Sequence, residues 1–177
     1  ELSAYDPRGS YAQSVEYATS NRGGCHAQGA SMYMESTGPL TIDPHSLRLK
    51  ADLPIVMQNL SCAINSMVLC LFTTYGMMPR FVHEMRPGSL AHRALAAVFE
   101  RSGPLLRLAF GAKAMPLLWY EKWLTYITGE RFTSGRLQEI GARVFNLERM
   151  YNLREGITGA DDTLPDRILH EPTFPGM

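Results

Sequence analysis

Apolar residues recur at three- and four-residue steps through most of this chain, and they never alternate with polar ones over a useful length. The clearest stripe is Val56, Leu60, Ile64, Met67 and Leu71, which predicts the buried face of a helix running from Asp52 to about Tyr75. Asp52 and Pro54 suit its first turn, and Gly76 suits its stop. Asn59, Cys62, Ser66 and Cys70 form a second, small and polar stripe on the same helix, fit for close packing against a backbone, a water chain or a bound group. Leu137, Ile140, Val144, Leu147 and Tyr151 predict the buried face of a helix over 133–154, capped by Thr133 or Ser134. Trp119, Trp123 and Tyr126 predict a core-facing aromatic stripe on a helix over 114–128, ended by Gly129. Shorter helices are expected over 11–20, with Ser10 as cap, and over 89–101. Residues 27–50 read mostly as loop with room for one short helix, and the "ADDTLPDRILHEP" tail reads as polar loop. The class is therefore all-α, an irregular bundle of about five to six helices with long loops.

Charge and cysteine content narrow the partners. Seventeen basic and seventeen acidic side chains cancel, which removes the electrostatic case for nucleic acid or an anionic membrane surface. Residues 53–72 approach the length of a membrane span, but Gln58, Asn59, Ser61, Asn65 and Ser66 interrupt them, so a buried core helix is expected and no membrane. Cys25, Cys62 and Cys70 are too few and too odd in number for a secreted disulfide scaffold, which points to a reducing cytoplasm. Without a Cys-x-x-Cys pair, they cannot complete a zinc or iron–sulfur site by themselves. Two glycines precede Cys25-His26, and a histidine just past a helix end suits proton transfer in a cleft. His45, His83, His92 and His170 lack partners at metal-binding spacing and read as surface or structural. Nucleophile elbows, phosphate loops and dinucleotide fingerprints are missing from the sequence. The opening and closing phrases read as cuts in a longer protein.

Three blocks carry a family resemblance. "AYDPRGS…EYATSNRGGCH" (4–26), "NSMVLCLF" (65–72) and "LTYITGERFTSGRLQEIGARVFNLERMYNLREG" with "DDTLPDRILHEP" (124–172) resemble, in this order, stretches of the tungsten-containing aldehyde ferredoxin oxidoreductases. The middle block sits where that family has Asp-x-x-Gly-Leu-Cys. Residues 27–52 and 76–120 resemble it poorly. The resemblance implies a helical middle domain ending within residues 1–50 and a helical C-terminal domain over 51–177. It also implies an enzyme that oxidises aldehydes to carboxylic acids at a bis-pterin tungsten centre and passes electrons through a 4Fe–4S cluster to ferredoxin. Cys70 matches the fourth cluster ligand, and Asn65 an aspartate that hydrogen-bonds a pterin. Leu69 and Leu71 flank the cysteine against the same cofactor. His26 matches a histidine near the metal, and Gln28 a basic residue that contacts pterin.

Several positions depart from the family pattern. Asn65 in place of Asp loses a charge, Val68 replaces a glycine, Gln28 removes a cation, and Arg136 stands where a helix-capping Glu is usual. Three further readings stay open: molybdenum in place of tungsten, a relative that reduces aryl-CoA thioesters, and a non-catalytic helical scaffold that has lost its cofactors. Neither the tungstopterin nor the cluster is expected to be fully bound by these residues alone, so the fragment is expected to be inactive. Homo-oligomerisation is left open.

Overall fold

The computed structural model describes residues 5–38, 40–77, 80–103, 105 and 119–172, and among them every regular element is helical. In chain order these are α1 (Tyr11–Thr19), α2 (Asp52–Ser66), α3 (Arg80–Glu84), α4 (Leu90–Arg101), α5 (Tyr120–Thr128), α6 (Ser134–Arg154) and α7 (Asp166–His170), joined by short 3-10 or π-helical turns. No described helix is long and apolar enough to cross a membrane.

Helix α2 is the spine. Its Leu53 and Val56 enter one apolar cluster with Ala12, Met34, Leu40, Ile42, Leu49, Val82 and Ala96. One turn further on, Leu60 and Ile64 enter a second cluster with Ala30, Leu71, Tyr120 and Leu137. The first cluster draws on residues from both sides of position 50. Helix α6 crosses α2 at very close range, because Gly141 lies against the Asn59 backbone and a Cβ there would overlap the Asn59 carbonyl oxygen. Gln138 donates to the Val56 carbonyl at 3.2 Å beside that crossing. The small-residue reading of the α2 stripe thus resolves into tight backbone packing at Asn59.

Several elements end differently from their sequence expectation. Helix α2 stops at Ser66 rather than near Tyr75. Its last carbonyls are closed by Val68 N–H to Asn65 O (3.0 Å) and Leu69 N–H to Ile64 O (3.2 Å), a Schellman closure around a left-handed residue. Val68 is that residue (φ 58°), so the chain leaves the helix before the apolar stripe runs out. Ser10 occupies the N-cap of α1, but its hydroxyl donates to Glu35, and it is Glu35 Oε1 that accepts the Ala12 N–H (3.1 Å). A carboxylate there also answers the positive end of the helix dipole. Lys50 pairs with the same buried Glu35 and donates to the Asp43 carbonyl at 2.7 Å. The tail is not all loop: a capping box between Thr158 and Asp161 opens a turn, and α7 follows Pro165. Arg8, donating to the Glu171 carbonyl at 2.9 Å, ties that tail to the first turn of the chain.

The buried faces of α5 and α6 are also not the expected ones. Trp119, Trp123 and Tyr126 are substantially exposed, whereas Tyr120 is fully buried with its hydroxyl against Thr73 Oγ1 (2.5 Å) and Thr74 Oγ1 (3.2 Å). The start of the expected helix, 114–118, lies outside the described residues. On α6 only Leu137 of the expected face is buried, while Leu147 and Tyr151 are exposed. Gln138, Gly141, Phe145, Glu148 and Asn152, again at steps of three and four, instead face the rest of the chain. Periodicity had located the helix correctly, but its polar stripe carries the hydrogen bonds that neighbours require. At the N-terminus of α6, Thr133 caps by accepting from Arg136 N–H (3.2 Å). Arg136 bonds Glu130 Oε2 (2.9 Å) and lies over the Phe132 ring, so an acidic neighbour offsets its charge near the helix start.

Candidate functional site

Two segments carry the residues singled out from the sequence, and both border the second apolar cluster. Leu71 belongs to its buried set, while Ala27 and Met67 pack on its rim. Segments forty residues apart in the chain are thereby brought to one region.

The first segment is the loop over 20–31 that follows α1. Its backbone turns at Gly23 (φ 73°), Gly29 (φ 136°) and Ala30 (φ 62°). His26 is half-buried, its ring edge-on to Tyr5 with centroids 5.0 Å apart. Gln28 is 1% exposed and turns its amide inward: Oε1 accepts from Ser20 Oγ (2.8 Å), and Nε2 donates to Glu148 Oε2 (3.0 Å) and faces Cys62 Sγ at 3.8 Å. One amide thus joins the end of α1, the middle of α2 and the far half of α6. Asn21 adds two more links to α6, donating to the Phe145 carbonyl (2.8 Å) and accepting from Asn152 Nδ2 (2.9 Å) on its own carbonyl. Burial, reinforced by the nearby Glu148 carboxylate, pushes the Cys62 thiol up to about 11, which suits a packing cysteine and not a ligand.

The second segment, 65–72, follows the closure of α2. Asn65, Leu69 and Cys70 are exposed, as is Val68, at 92%. Cys70 is a free thiol, and its backbone carbonyl accepts from Thr73 N–H (3.1 Å) and Oγ1 (2.6 Å), which fixes the turn that carries it. Leu71 alone turns into the core. The expected thiol at the end of the most apolar stretch is therefore not buried by this chain; it is exposed, as are Asn65, Val68 and Leu69. At Val68 the helix closure demands a left-handed residue, a conformation that glycine adopts without a Cβ clash.

The residues that hold these segments were not among those singled out from the sequence. Glu16, Ser31 and Glu148 carry most of the hydrogen bonds of the loop base. Their pairings span fifteen and 120 residues, and no spacing rule reaches so far. What could have hinted at them is an acid inside the packed face of α1, between Ala12 and Tyr17.

The outer blocks of the resemblance also meet in space. A cavity of about 290 Å³ is lined by Tyr17, Asn21 and Gly24 from the first block and by Arg149, Asn152 and Asp162 from the last. Arg149 grips Asp162 through two bonds of 2.8 and 2.6 Å at its wall.

Among the described residues no three His, Cys, Asp or Glu side chains converge to hold a metal ion. A metal group could take one thiolate here, from Cys70, and would need the rest of its ligands from elsewhere.

A family model described as aldehyde ferredoxin oxidoreductase, domains 2 and 3, matches residues 1–177. The match includes 27–52 and 76–120, where the block-by-block resemblance was poor. The tungsten-containing aldehyde ferredoxin oxidoreductase of Pyrococcus furiosus is 35% identical over 175 residues. Its counterpart from Thermococcus kodakarensis is 34% identical over the same length. In each case the alignment covers 97% of this chain and 23% of the relative, so the chain spans under a quarter of the length of these proteins.

Proposed function

The chain belongs to the aldehyde ferredoxin oxidoreductase family, and we propose that it forms one wall of the cofactor site of such an enzyme. In the whole protein an aldehyde and water become a carboxylic acid with release of two protons and two electrons, and ferredoxin takes the electrons in the cytoplasm. A tungstopterin supplies the two-electron chemistry and a 4Fe–4S cluster the single-electron exit.

The residues present fit a share of that assembly. Cys70 gives one thiolate to the cluster, and its exposure beyond a closed helix end is the observation that carries the reading. A structural cysteine in this chain looks like Cys62, buried and with a raised pKa. Asn65, exposed at the same helix end, offers an amide that can both donate to and accept from a pterin. Leu69, exposed beside Cys70 in the chain, offers an apolar contact to the cofactor, and Leu71, turned into the core, anchors the turn that carries the thiol. Gln28 serves the pterin side by holding the loop base, and His26 takes up or releases a proton at an imidazole nitrogen. Among the described residues no further ligands converge on Cys70, so on this reading the chain by itself is inactive.

The test is Cys70→Ser in the full-length protein, read by iron content. Loss of cluster iron with the protein still folded is expected. Iron content equal to wild type removes Cys70 from the ligand set and with it this reading.

A further inference from the structure

Residues 29–31 bend through two successive left-handed conformations, Gly29 at φ 136° and Ala30 at φ 62°. Turns of this sort aim neighbouring backbone N–H groups into one concavity, which suits a carboxyl group. Here the occupant is Glu16, on α1, with no surface exposed. Its Oε2 accepts from Ser31 N–H at 3.0 Å, its Oε1 accepts from Ser31 Oγ at 2.5 Å, and the Ala30 N–H contributes a further bond. Gly29 passes so close that a Cβ would overlap the carboxyl group. From the other side, Gln58 on α2 donates to the Glu16 backbone carbonyl at 3.4 Å and to Thr19 Oγ1 at 3.2 Å. Burying an acid without a cation against it is costly, and an apolar side chain would pack more cheaply. An apolar side chain could not, however, answer these three donors.

The next anchor along the loop is the Gln28 amide on Glu148. Cys25, His26 and Ala27 come immediately before these two attachments. We propose that Glu16 is a positioning residue: seated in the 29–31 cup, its carboxyl group fixes the base of the 20–31 loop and so the place where the His26 imidazole stands. The catalytic side of this inference rests on the reading of His26 as the proton carrier. Burial holds Glu16 at a pKa of about 8, so near neutrality it works as a hydrogen-bonded wedge more than as a charge.

The experiment compares Glu16→Gln, Ser31→Ala, the double variant and a His26→Gln reference in the full-length, metal-loaded protein. Three quantities are followed. They are the rate of carbethoxylation at His26 by peptide mass spectrometry across roughly pH 6 to 8, deuterium uptake by peptides of the 20–31 loop, and kcat and KM for an aldehyde at matched metal content. Each single variant should raise His26 labelling and loop uptake about threefold. Each should lower kcat about tenfold with KM little changed, since a small displacement of a proton carrier is felt in the chemical step. The double variant should be no worse than the stronger single one, because both remove the same attachment. Unchanged labelling and uptake in both single variants overturns the inference, as does a kcat loss that tracks only metal loss. If His26→Gln leaves kcat intact, the proton-carrier reading falls, while the hold of Glu16 on the loop is still decided by labelling and uptake.

Discussion

The loop over 20–31 and the segment over 65–72 make an instructive pair. Both follow a helix, both contain left-handed residues, and both border the same apolar cluster. In the first, Gln28 and Ser31 are almost wholly buried and bonded to α1 and α6, although the buried Asn21 Oδ1 has no partner among the described residues. In the second, an amide, a thiol and apolar side chains stand on the surface. One is held largely within this chain. Under the proposed reading the other is a half-site, whose apolar and thiol groups meet a cofactor held mostly outside these residues. That difference suits a chain which spans 23% of its relatives.

Raising the pH should break the comparison most strongly. Burial raises the Glu16 pKa from about 4.5 to about 8, the neighbouring Glu35 adding to the shift, though Lys50 pairs with Glu35 itself. Below the unfolded value both states hold the proton and the stability is complete. As pH climbs through the window between the two values, the unfolded chain releases a proton that the folded one retains, so stability falls until the folded pKa is passed. The loss is on the order of 5 kcal/mol by the usual conversion of pKa shift to free energy. Urea titrations at a series of pH values should show this slope in wild type and its removal in Glu16→Gln. Exchange protection should fall first in 20–31, with 65–72 little affected.

Next in size is the helix crossing beneath both segments. Gly141→Ala places a methyl group on the Asn59 carbonyl and should cost about 3 kcal/mol, since neither backbone can yield without repacking α2 against α6. Denaturant midpoints measure it, and a cost near zero would mean that the two helices can slide apart.

The smallest expected effect sharpens the contrast from the other side. Val68 is a β-branched residue at a left-handed helix closure, with its side chain in solvent. Val68→Gly should therefore stabilise the chain by about 1 kcal/mol, relieving the Cβ clash and sacrificing no packing. A thermal melt shifted upward by a few degrees is the expected result.

Much of the helical layout was legible because it depends on local chemistry. Thr133 caps where the sequence placed a cap, Gly129 ends α5 in a left-handed turn, and the α2 stripe from Val56 to Ile64 is buried as its spacing predicts. The candidate site residues came from the family resemblance, and their surroundings were not legible in the sequence. Nothing near Gln28 in the chain announces Glu148, and nothing near Glu16 announces the cup at 29–31. Likewise, Tyr120 and not its neighbouring tryptophans enters the core, since Thr73 and Thr74 arrive there from another part of the chain.

What the sequence determined by itself is therefore the helical class, the position of most helices and the family, all of which rest on short-range periodicity, capping and contiguous motifs. Only the tertiary structure decided which face of α6 meets α2, where α2 ends, and which acids grip the loop before α2. Those choices belong to long-range hydrogen bonds and to backbone contact at Gly141, where two distant stretches must satisfy each other and neither carries the other's address.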